Sequence, residues 1–113
     1  RPATQETIMT ESEFLQLSDA IFDQIEAAID DHGLDADTLR QGNVLEIEFD
    51  SGEKVIVNRH AVNQELWIAA KSGGYHFSRQ GAAWIASRDG SEFFATLAEA
   101  IRAGSGEAFG FGD

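Results

Sequence analysis

The pattern that most restricts the fold is a series of short stretches, between residues 44 and 86, in which apolar and polar side chains alternate. A two-residue period is typical of strands with one buried face, and turns rich in Gly, Asp and Ser separate the stretches. The turn at Asp50–Glu53 predicts an antiparallel hairpin, and the turn at Ser72–Gly74 predicts another. The predicted strands are Val44–Phe49, Lys54–Asn58, Glu65–Ala70, Tyr75–Arg79 and Ala82–Ala86. The sequence therefore predicts an antiparallel meander of at least five strands.

Two amphipathic helices flank these strands. Apolar residues recur at helical spacing from Phe14 to Ile29, which predicts a helix that begins at Ser12 and ends near His32–Gly33. Leu34–Gln41 follows as a connector or edge strand. A second helix is predicted with Ser91 as its N-cap and Gly104 at its end.

The order helix, strands, helix allows both helices to lie on one face of the sheet and leaves the other face to solvent. We therefore predict an α+β fold, a two-layer sandwich with N- and C-terminal helices packed on one face of an antiparallel sheet of five to six strands. Beyond the second helix the tail is rich in glycine. Its two aromatic residues, Phe109 and Phe111, either pack back on that helix or are mobile.

Length and composition limit the number of domains and the available chemistry. The 113 residues, 42% of them hydrophobic, suffice for one packed domain, which we place at residues 9–113. Residues 1–8 are polar and patternless, and we interpret them as a tag remnant or disordered leader before Met9. The absence of cysteine excludes a disulfide framework, a thiolate metal site and a thiol nucleophile. No apolar stretch approaches the ~20 residues of a membrane span, so the expected location is the cytoplasm.

The charge of the chain is strongly negative and unevenly distributed. The formal net charge is −12, and residues 1–50 hold 13 acidic and only 2 basic side chains. Nucleic acids and anionic membranes repel such a surface, so neither is an expected partner. Cations and basic proteins are the favoured ligands.

Seven carboxylates in and just after the first helix form what we call the acidic ridge. They are Asp19, Asp23, Glu26, Asp30, Asp31, Asp35 and Asp37. The first four fall within about 60° of one another at 100° per residue, opposite the apolar stripe. Neighbouring like charges cost on the order of 0.2–0.5 kcal/mol per pair, and no basic residue is interleaved. We therefore expect the ridge to add nothing to stability, and a cationic ligand or partner explains it better than a solubilising face.

Oxygen ligands on an exposed face suit hard ions such as Mg²⁺, Ca²⁺, Mn²⁺ or iron, bound weakly because nothing encloses them. The three histidines, His32, His60 and His76, match no metal-binding spacing and are expected to be bystanders, although His32 could assist a cation beside the helix end. Sequence signatures of serine hydrolases, zinc proteases and P-loop enzymes are missing. An ordinary enzyme is therefore disfavoured.

The predicted sheet offers a second candidate surface on its outer face. In the strand Glu65–Ala70 the aliphatic side chains face the core, which leaves Trp67 exposed on the other side. An exposed tryptophan either covers its cross-strand neighbours or anchors a binding interface. Glu46 and Glu48 also point outward and extend negative charge onto the sheet. We predict a docking surface that combines these acids with the aromatic ring.

Together, three parts of the chain resemble bacterial frataxins of the CyaY type. The first is the helix with its acidic ridge. The second runs from Asn58-Arg59 to the segment Leu66-Trp67-Ile-Ala-Ala-Lys-Ser-Gly-Gly-Tyr-His-Phe77. The third is Ala83-Trp84-Ile85 ahead of Asp89-Gly90-x-x-Phe93. The resemblance covers nearly all of residues 9–111.

The resemblance implies an α+β sandwich, weak binding of ferrous and ferric iron on the ridge, and a role in iron–sulfur cluster assembly. The family's ridge falls here on Asp19, Glu26, Asp30, Asp31, Asp35 and Asp37, and its exposed sheet residues fall on Asn58 and Trp67. Ala27 and Leu39 stand where relatives often have an acid, and Asp23 lies close by.

The resulting hypothesis is an iron-binding accessory protein, not an enzyme, that presents or senses iron. It would dock to a cysteine desulfurase and to the iron–sulfur scaffold protein. The docking residues would be the ridge together with Glu46, Glu48, Asn58 and Trp67. One alternative is ferroxidase or iron-storage activity on the same ridge, and another is an acidic protein-binding module that needs no metal. We expect a monomer, with iron-dependent oligomers as the alternative, and other divalent cations could replace iron.

Overall fold

The computed structural model describes residues 9–111, and the predicted leader at residues 1–8 lies outside them. Two helices enclose six strands in chain order. The elements are helix α1 (Glu11–Asp31), strands β1 (Ala36–Gln41), β2 (Val44–Phe49), β3 (Lys54–His60), β4 (Glu65–Ala70), β5 (Gly73–Gln80) and β6 (Ala83–Ile85), and helix α2 (Phe93–Ser105). Every neighbouring pair of strands is antiparallel, in the order β1 to β6. The predicted antiparallel meander is confirmed, and Leu34–Gln41 contains an edge strand.

The two helices share one face of this sheet. In α1 the edge of the Phe14 ring packs on Trp84 of β6, with 6.0 Å between ring centroids, and in α2 Phe93 packs on Phe77 of β5 at 5.4 Å. The inward side chains of the strands and the apolar stripes of both helices form one core. Its largest fully buried side chains are Phe14, Phe22, Ile25, Leu45, Ile47, Val57, Leu66, Ile68, Phe77, Phe93, Leu97 and Ile101. The predicted two-layer α+β sandwich is confirmed.

Helix α1 begins at a reciprocal capping box. The Thr10 hydroxyl accepts the Glu13 backbone N–H at 3.0 Å, and the Glu13 carboxylate accepts the Thr10 backbone N–H at 2.9 Å. These bonds satisfy two donors that a helix start otherwise leaves free. The helix ends at Asp31 with His32 as its C-cap, as the sequence predicts. Among residues 9–111 no helix is long and apolar enough to cross a membrane.

Both predicted ends of the second helix are wrong. Glu92, not Ser91, is the N-cap, and its carboxylate accepts the N–H groups of Phe94 and Ala95 at 3.0 Å each. Ser91 is occupied in the preceding turn, where its N–H donates to the Asp89 carboxylate and its carbonyl accepts from Ala86.

The helix also continues through Gly104 and ends at Ser105. Gly106 is the C-cap, because it adopts the left-handed conformation with φ of 73°. Gly104 has no such conformation and serves instead for close packing, since a Cβ there would overlap the ring of Phe49. The glycine that ends the helix is therefore two residues later than predicted.

The tail packs back on the fold. Phe109 is buried, and its ring lies 4.8 Å from the His32 ring at the end of α1 and 5.0 Å from Phe111. Phe111 in turn contacts Phe94 of α2 at 5.0 Å. Arg102 fixes this segment by donating a hydrogen bond of 2.9 Å to the Phe109 carbonyl. Of the two predicted alternatives, packing is the one observed.

Candidate functional site

The N-terminal half of the acidic ridge is bound to an arginine from the sheet. The guanidinium of Arg40 on β1 lies 2.6 Å from Asp23, 3.1 Å from Asp19 and 3.4 Å from Glu26. Its hydrogen bond with Asp23 raises the pKa of Arg40 above its already high value, so this group stays charged. Three ridge carboxylates therefore converge on one internal cation.

A second arginine completes this network. Arg59 of β3 donates to the Asp19 carboxylate at 2.5 Å and to the hydroxyl of the fully buried Ser18 at 3.0 Å. Both guanidinium groups lie over the ring of Phe22, with Arg40 at 5.1 Å and Arg59 at 5.5 Å from its centroid. Cation–π contact and charge-assisted hydrogen bonds hold the arginines between α1 and the sheet.

The expectation that the ridge lacks basic partners and adds nothing to stability is wrong for this half. Arg40 and Arg59 occupy core-facing register positions on their strands, opposite Leu45 and Leu66, so folding brings them under the helix. Ion pairs with exposed members contribute only about 0–1 kcal/mol each. The Arg59–Asp19 pair is stronger than most because the Arg59 side chain is only 11% exposed.

We predict that Asp19 contributes to the acid sensitivity of the fold. The hydrogen bond from Arg59, reinforced by Arg40, lowers the pKa of Asp19 despite the opposing effect of burial. The stabilisation is therefore complete above the unfolded pKa near ~4 and is lost as pH falls through the lower folded value. Because half of the side chain is exposed, screening limits its size to about 1 kcal/mol.

Urea unfolding of the wild type and of Asp19→Asn between pH 7 and pH 2.5 measures this contribution. The variant should be less stable at pH 7, and the difference should shrink toward pH 2.5. Asp50→Asn, at an exposed turn, is the matched control and should keep the wild-type pH profile. A constant difference between Asp19→Asn and the wild type at every pH would contradict the prediction.

The C-terminal half of the ridge has a different environment. Asp30, Asp31 and Asp35 are exposed, and none forms an ion pair with another residue in the range 9–111. They surround the C-terminal end of α1, where the helix dipole adds partial negative charge. The carboxylate of Glu107 in the tail also approaches, at 3.4 Å from the Asp35 backbone N–H. This end of the molecule therefore carries uncompensated negative charge.

Asp37 does not lie with the helix carboxylates. It faces the outer side of the sheet, directly across from Glu48 on β2, while Leu39 lies across from Glu46. A strand reverses its side chains at every residue, so Asp37 and the inward-facing Arg40 belong to opposite faces. The ridge predicted as one stripe thus divides into an arginine-bound part, an open part and an outer-sheet part.

The open part offers ligands for a weakly held ion. Its donors are carboxylate oxygens, which suit hard cations such as Fe²⁺, Mn²⁺ and Mg²⁺. Within residues 9–111 no three His, Asp or Glu side chains come close enough to form a ready-made metal cage. A cation here would keep much of its water shell, as the exposed carboxylates alone could complete only part of its coordination.

The outer face of the sheet brings the predicted docking residues together. Asn58 on β3 and Trp67 on β4 are directly opposite each other, and Val44 and His76 continue the same row on β2 and β5. Glu46 lies outward and pairs with Lys54 at 3.3 Å. The sequence thus predicted the face of each residue correctly.

Trp67 is half-buried, whereas the sequence predicts an exposed side chain. The rings of His60 and His76 lie on its two sides, each with its centroid 4.8 Å from that of the indole. We call this group the His–Trp–His stack. The histidines are far apart in sequence and were expected to be bystanders, and only the pairing of β3, β4 and β5 brings them together.

This sandwich, with acid on its first helix and edge strand and an aromatic group on its open sheet face, is of the frataxin-like class. The family model described as "Frataxin-like domain" matches residues 7–107. The chain belongs to the frataxin family.

Within that family it is of the bacterial CyaY type. It is 89% identical over 103 residues to the iron-sulfur cluster assembly protein CyaY of Chromobacterium violaceum, which covers 91% of this chain and 98% of that relative. It is 57% identical over 101 residues to the protein of the same name from Neisseria meningitidis serogroup B, covering 89% and 94% of the two chains.

Solved structures agree with the fold. Frataxin from Psychromonas ingrahamii superposes with a TM-score of 0.87 at 35% identity, over 93% of this chain and 100% of that one. Trimeric frataxin from the yeast Saccharomyces cerevisiae, complexed with ferrous iron, gives a TM-score of 0.66 at 20% identity, over 88% and 89%. At that identity the yeast structure supports the fold alone.

Proposed function

We propose that this chain, as one frataxin-like domain of residues 9–113, is an accessory protein of iron–sulfur cluster assembly in the bacterial cytoplasm. It binds iron weakly at the open part of the ridge and docks to a cysteine desulfurase and to the scaffold protein. Relatives that match about nine tenths of this chain at 89% and 57% identity are named iron-sulfur cluster assembly proteins, which supports a role in that process. The role is that of an adaptor or regulator of turnover in another protein.

One observation carries the iron-binding part of the proposal: Asp30, Asp31 and Asp35 are exposed and have no ion-pair partner within residues 9–111. An iron ion is the cargo in this proposal, so weak and reversible binding fits the role better than an enclosed cage. Hard carboxylate ligands on a surface give such binding for both Fe²⁺ and Fe³⁺.

The same charge provides the means of docking. The open ridge and the outward Glu48 present uncompensated acid along one edge of the molecule, where a basic patch on the desulfurase would fit. Electrostatic complementarity of this kind raises the association rate and orients the partner. Asn58 and Trp67 then supply a less charged contact on the sheet face, which suits the scaffold protein.

Cluster-assembly kinetics test the proposal. Desulfurase and scaffold are followed with and without this protein for wild type, for Asp30→Asn/Asp31→Asn, and for the charge-matched control Asp50→Asn/Glu99→Gln. We expect wild type and control to change the assembly rate in an iron-dependent way and the ridge variant to lose most of that effect. Equal effects of all three proteins would contradict the role of the ridge.

Calorimetry with the desulfurase at increasing salt gives the second readout of that experiment. Exposed charges are screened within ~8 Å at physiological ionic strength, so the affinity should fall steeply with salt. Affinity independent of salt would refute electrostatic docking. If the ridge variant lowers affinity equally with and without iron, the protein is an acidic docking module that needs no metal.

A further inference from the structure

The His–Trp–His stack contains two titratable rings in contact with the residues proposed for docking. The rings of His60 and Trp67 are inclined at 38°, and those of Trp67 and His76 are nearly parallel at 25°. Both centroid distances are 4.8 Å, which places each imidazole within the range of strong contact with the indole π-system. Any change in the charge of either imidazole is therefore felt by the indole.

Each histidine of the stack has a polar neighbour whose contact depends on the protonation of its ring. The side-chain amide of Asn58 lies 3.4 Å from Nε2 of His60, a contact in which the amide nitrogen donates when Nε2 carries no proton and the amide oxygen accepts when it does. When Nε2 gains a proton it becomes a donor, so Asn58 must rotate its amide to present oxygen instead of nitrogen.

Glu65 links the other ring to the indole. One carboxylate oxygen accepts the Trp67 indole N–H at 3.1 Å, and the other lies 3.8 Å from Nδ1 of His76. Protonation of His76 would shorten this second contact into a charge-assisted hydrogen bond and draw the carboxylate toward the imidazolium. The hydrogen bond to the indole would change with it.

Other charged groups on this face lie along its edge toward β1. They are Asp37 on β1, Glu46 and Glu48 on β2, and Lys54 on β3, in addition to Glu65 on β4. Lys54 pairs with Glu46, and the outward residues of β5 and β6 next to the stack, Ser78 and Ile85, are uncharged. Protonation of the two histidines would therefore place two new positive charges in the middle of an otherwise acidic or neutral face.

We propose that the His–Trp–His stack makes the sheet-face docking surface responsive to protons. With both imidazoles neutral, the stack is an uncharged plate of three rings, in which the Asn58 amide donates to His60. With both imidazoles protonated, cation–π contact holds the indole between them, Asn58 presents its amide oxygen, and the scaffold protein meets two positive charges on a face that is otherwise suited to a less charged contact. The effect on docking rests on the proposed function, whereas the change in the stack itself does not.

NMR of the isolated protein tests the stack directly. The side-chain amide signals of Asn58 and the indole N–H signal of Trp67 are followed from pH 8 to pH 5.5. We expect both to shift when the imidazole rings gain protons, and the indole of the buried Trp84 to stay fixed as an internal reference. His60→Gln should remove the shift of Asn58, and His76→Gln should remove most of the shift of Trp67.

His32→Gln is the matched control, because His32 contacts Phe109 on the other side of the molecule and should leave both shifts intact. The proposal is overturned if the Asn58 and Trp67 signals do not move, or if they still move in the double variant His60→Gln/His76→Gln. Far-UV circular dichroism of each variant shows that the fold is kept.

Binding to the scaffold protein at pH 7.5 and pH 5.5 tests the consequence. Wild type should bind several-fold more weakly at the lower pH, and the double histidine variant should lose this difference. If the scaffold binds at neither pH, the proposed function is contradicted. The NMR result then still decides whether the stack responds to protons. Equal pH dependence in wild type and double variant would contradict the link between the stack and docking.

Discussion

Replacing Asp30, Asp31 and Asp35 with asparagine is expected to weaken binding of Fe²⁺ or Mn²⁺ by about tenfold or more, because the charge of the ligands largely sets affinity at oxygen sites. These carboxylates lack ion-pair partners within residues 9–111 and sit at the negative end of α1. Calorimetry under anaerobic conditions, or Mn²⁺ relaxation enhancement, measures the change.

The matched variant Asp19→Asn/Asp23→Asn/Glu26→Gln removes the same charge from the arginine-bound half. We expect less than about a twofold change in metal affinity, since Arg40 and Arg59 already offset most of this charge and occupy the carboxylate oxygens. This variant should instead lose stability, so each variant should affect one property and spare the other. Equal loss of metal binding in both would contradict the division of the ridge.

Removing Arg40, the arginine that three ridge carboxylates share, tests the division of the ridge most directly. Arg40→Gln leaves Asp23 and Glu26 without their arginine and leaves Asp19 with Arg59 alone. We expect paramagnetic broadening by Mn²⁺ to spread from the end of α1 to residues 19–26. Arg88→Gln, which removes an equal charge at a distant exposed turn, should leave the broadening confined to the end of the helix.

Features set by neighbouring residues could be predicted from the sequence. The alternation in Val44–Phe49 and Glu65–Ala70 gave both strands with their observed bounds and faces, because a half-buried strand imposes its period on each residue. The periodicity of α1 and its end near His32 are local for the same reason. Recognition of the family followed from these local patterns combined with a specific central segment.

Features set by distant residues could not be predicted in this way. The partners of Asp19 are Arg40 and Arg59, which approach it only after two strands have paired under the helix. A helical projection includes only the charges on one helix. It therefore predicts repulsion among carboxylates that the two arginines bridge in the folded protein. The sequence did contain a signal for these contacts. The alternation of side chains along each strand places both arginines on the inner face of the sheet.

Gly104→Val should destabilise the protein by about 3 kcal/mol, the upper end of the usual cost of overpacking a core. A Cβ at this position would overlap the ring of Phe49, which is itself 3% exposed and held in the core by β2. Helix propensity favours valine over glycine by only a few tenths of a kcal/mol, so the steric effect dominates. Urea unfolding followed by tryptophan fluorescence measures the loss.

The control is Gly110→Ala, because no atom lies within 4 Å of a Cβ there and its backbone is outside the left-handed region, so we expect a change within about 0.5 kcal/mol. Phe49→Leu removes the part of the ring that meets Gly104 and should cost about 1 kcal/mol by itself. If the overlap is the cause, Gly104→Val costs much less in the Phe49→Leu background than in the wild type, and the double-mutant cycle shows a favourable coupling. Additive losses would mean that Gly104 is required for a reason other than its contact with the ring. The position of this glycine inside α2, two residues before the C-cap, would then have no steric explanation.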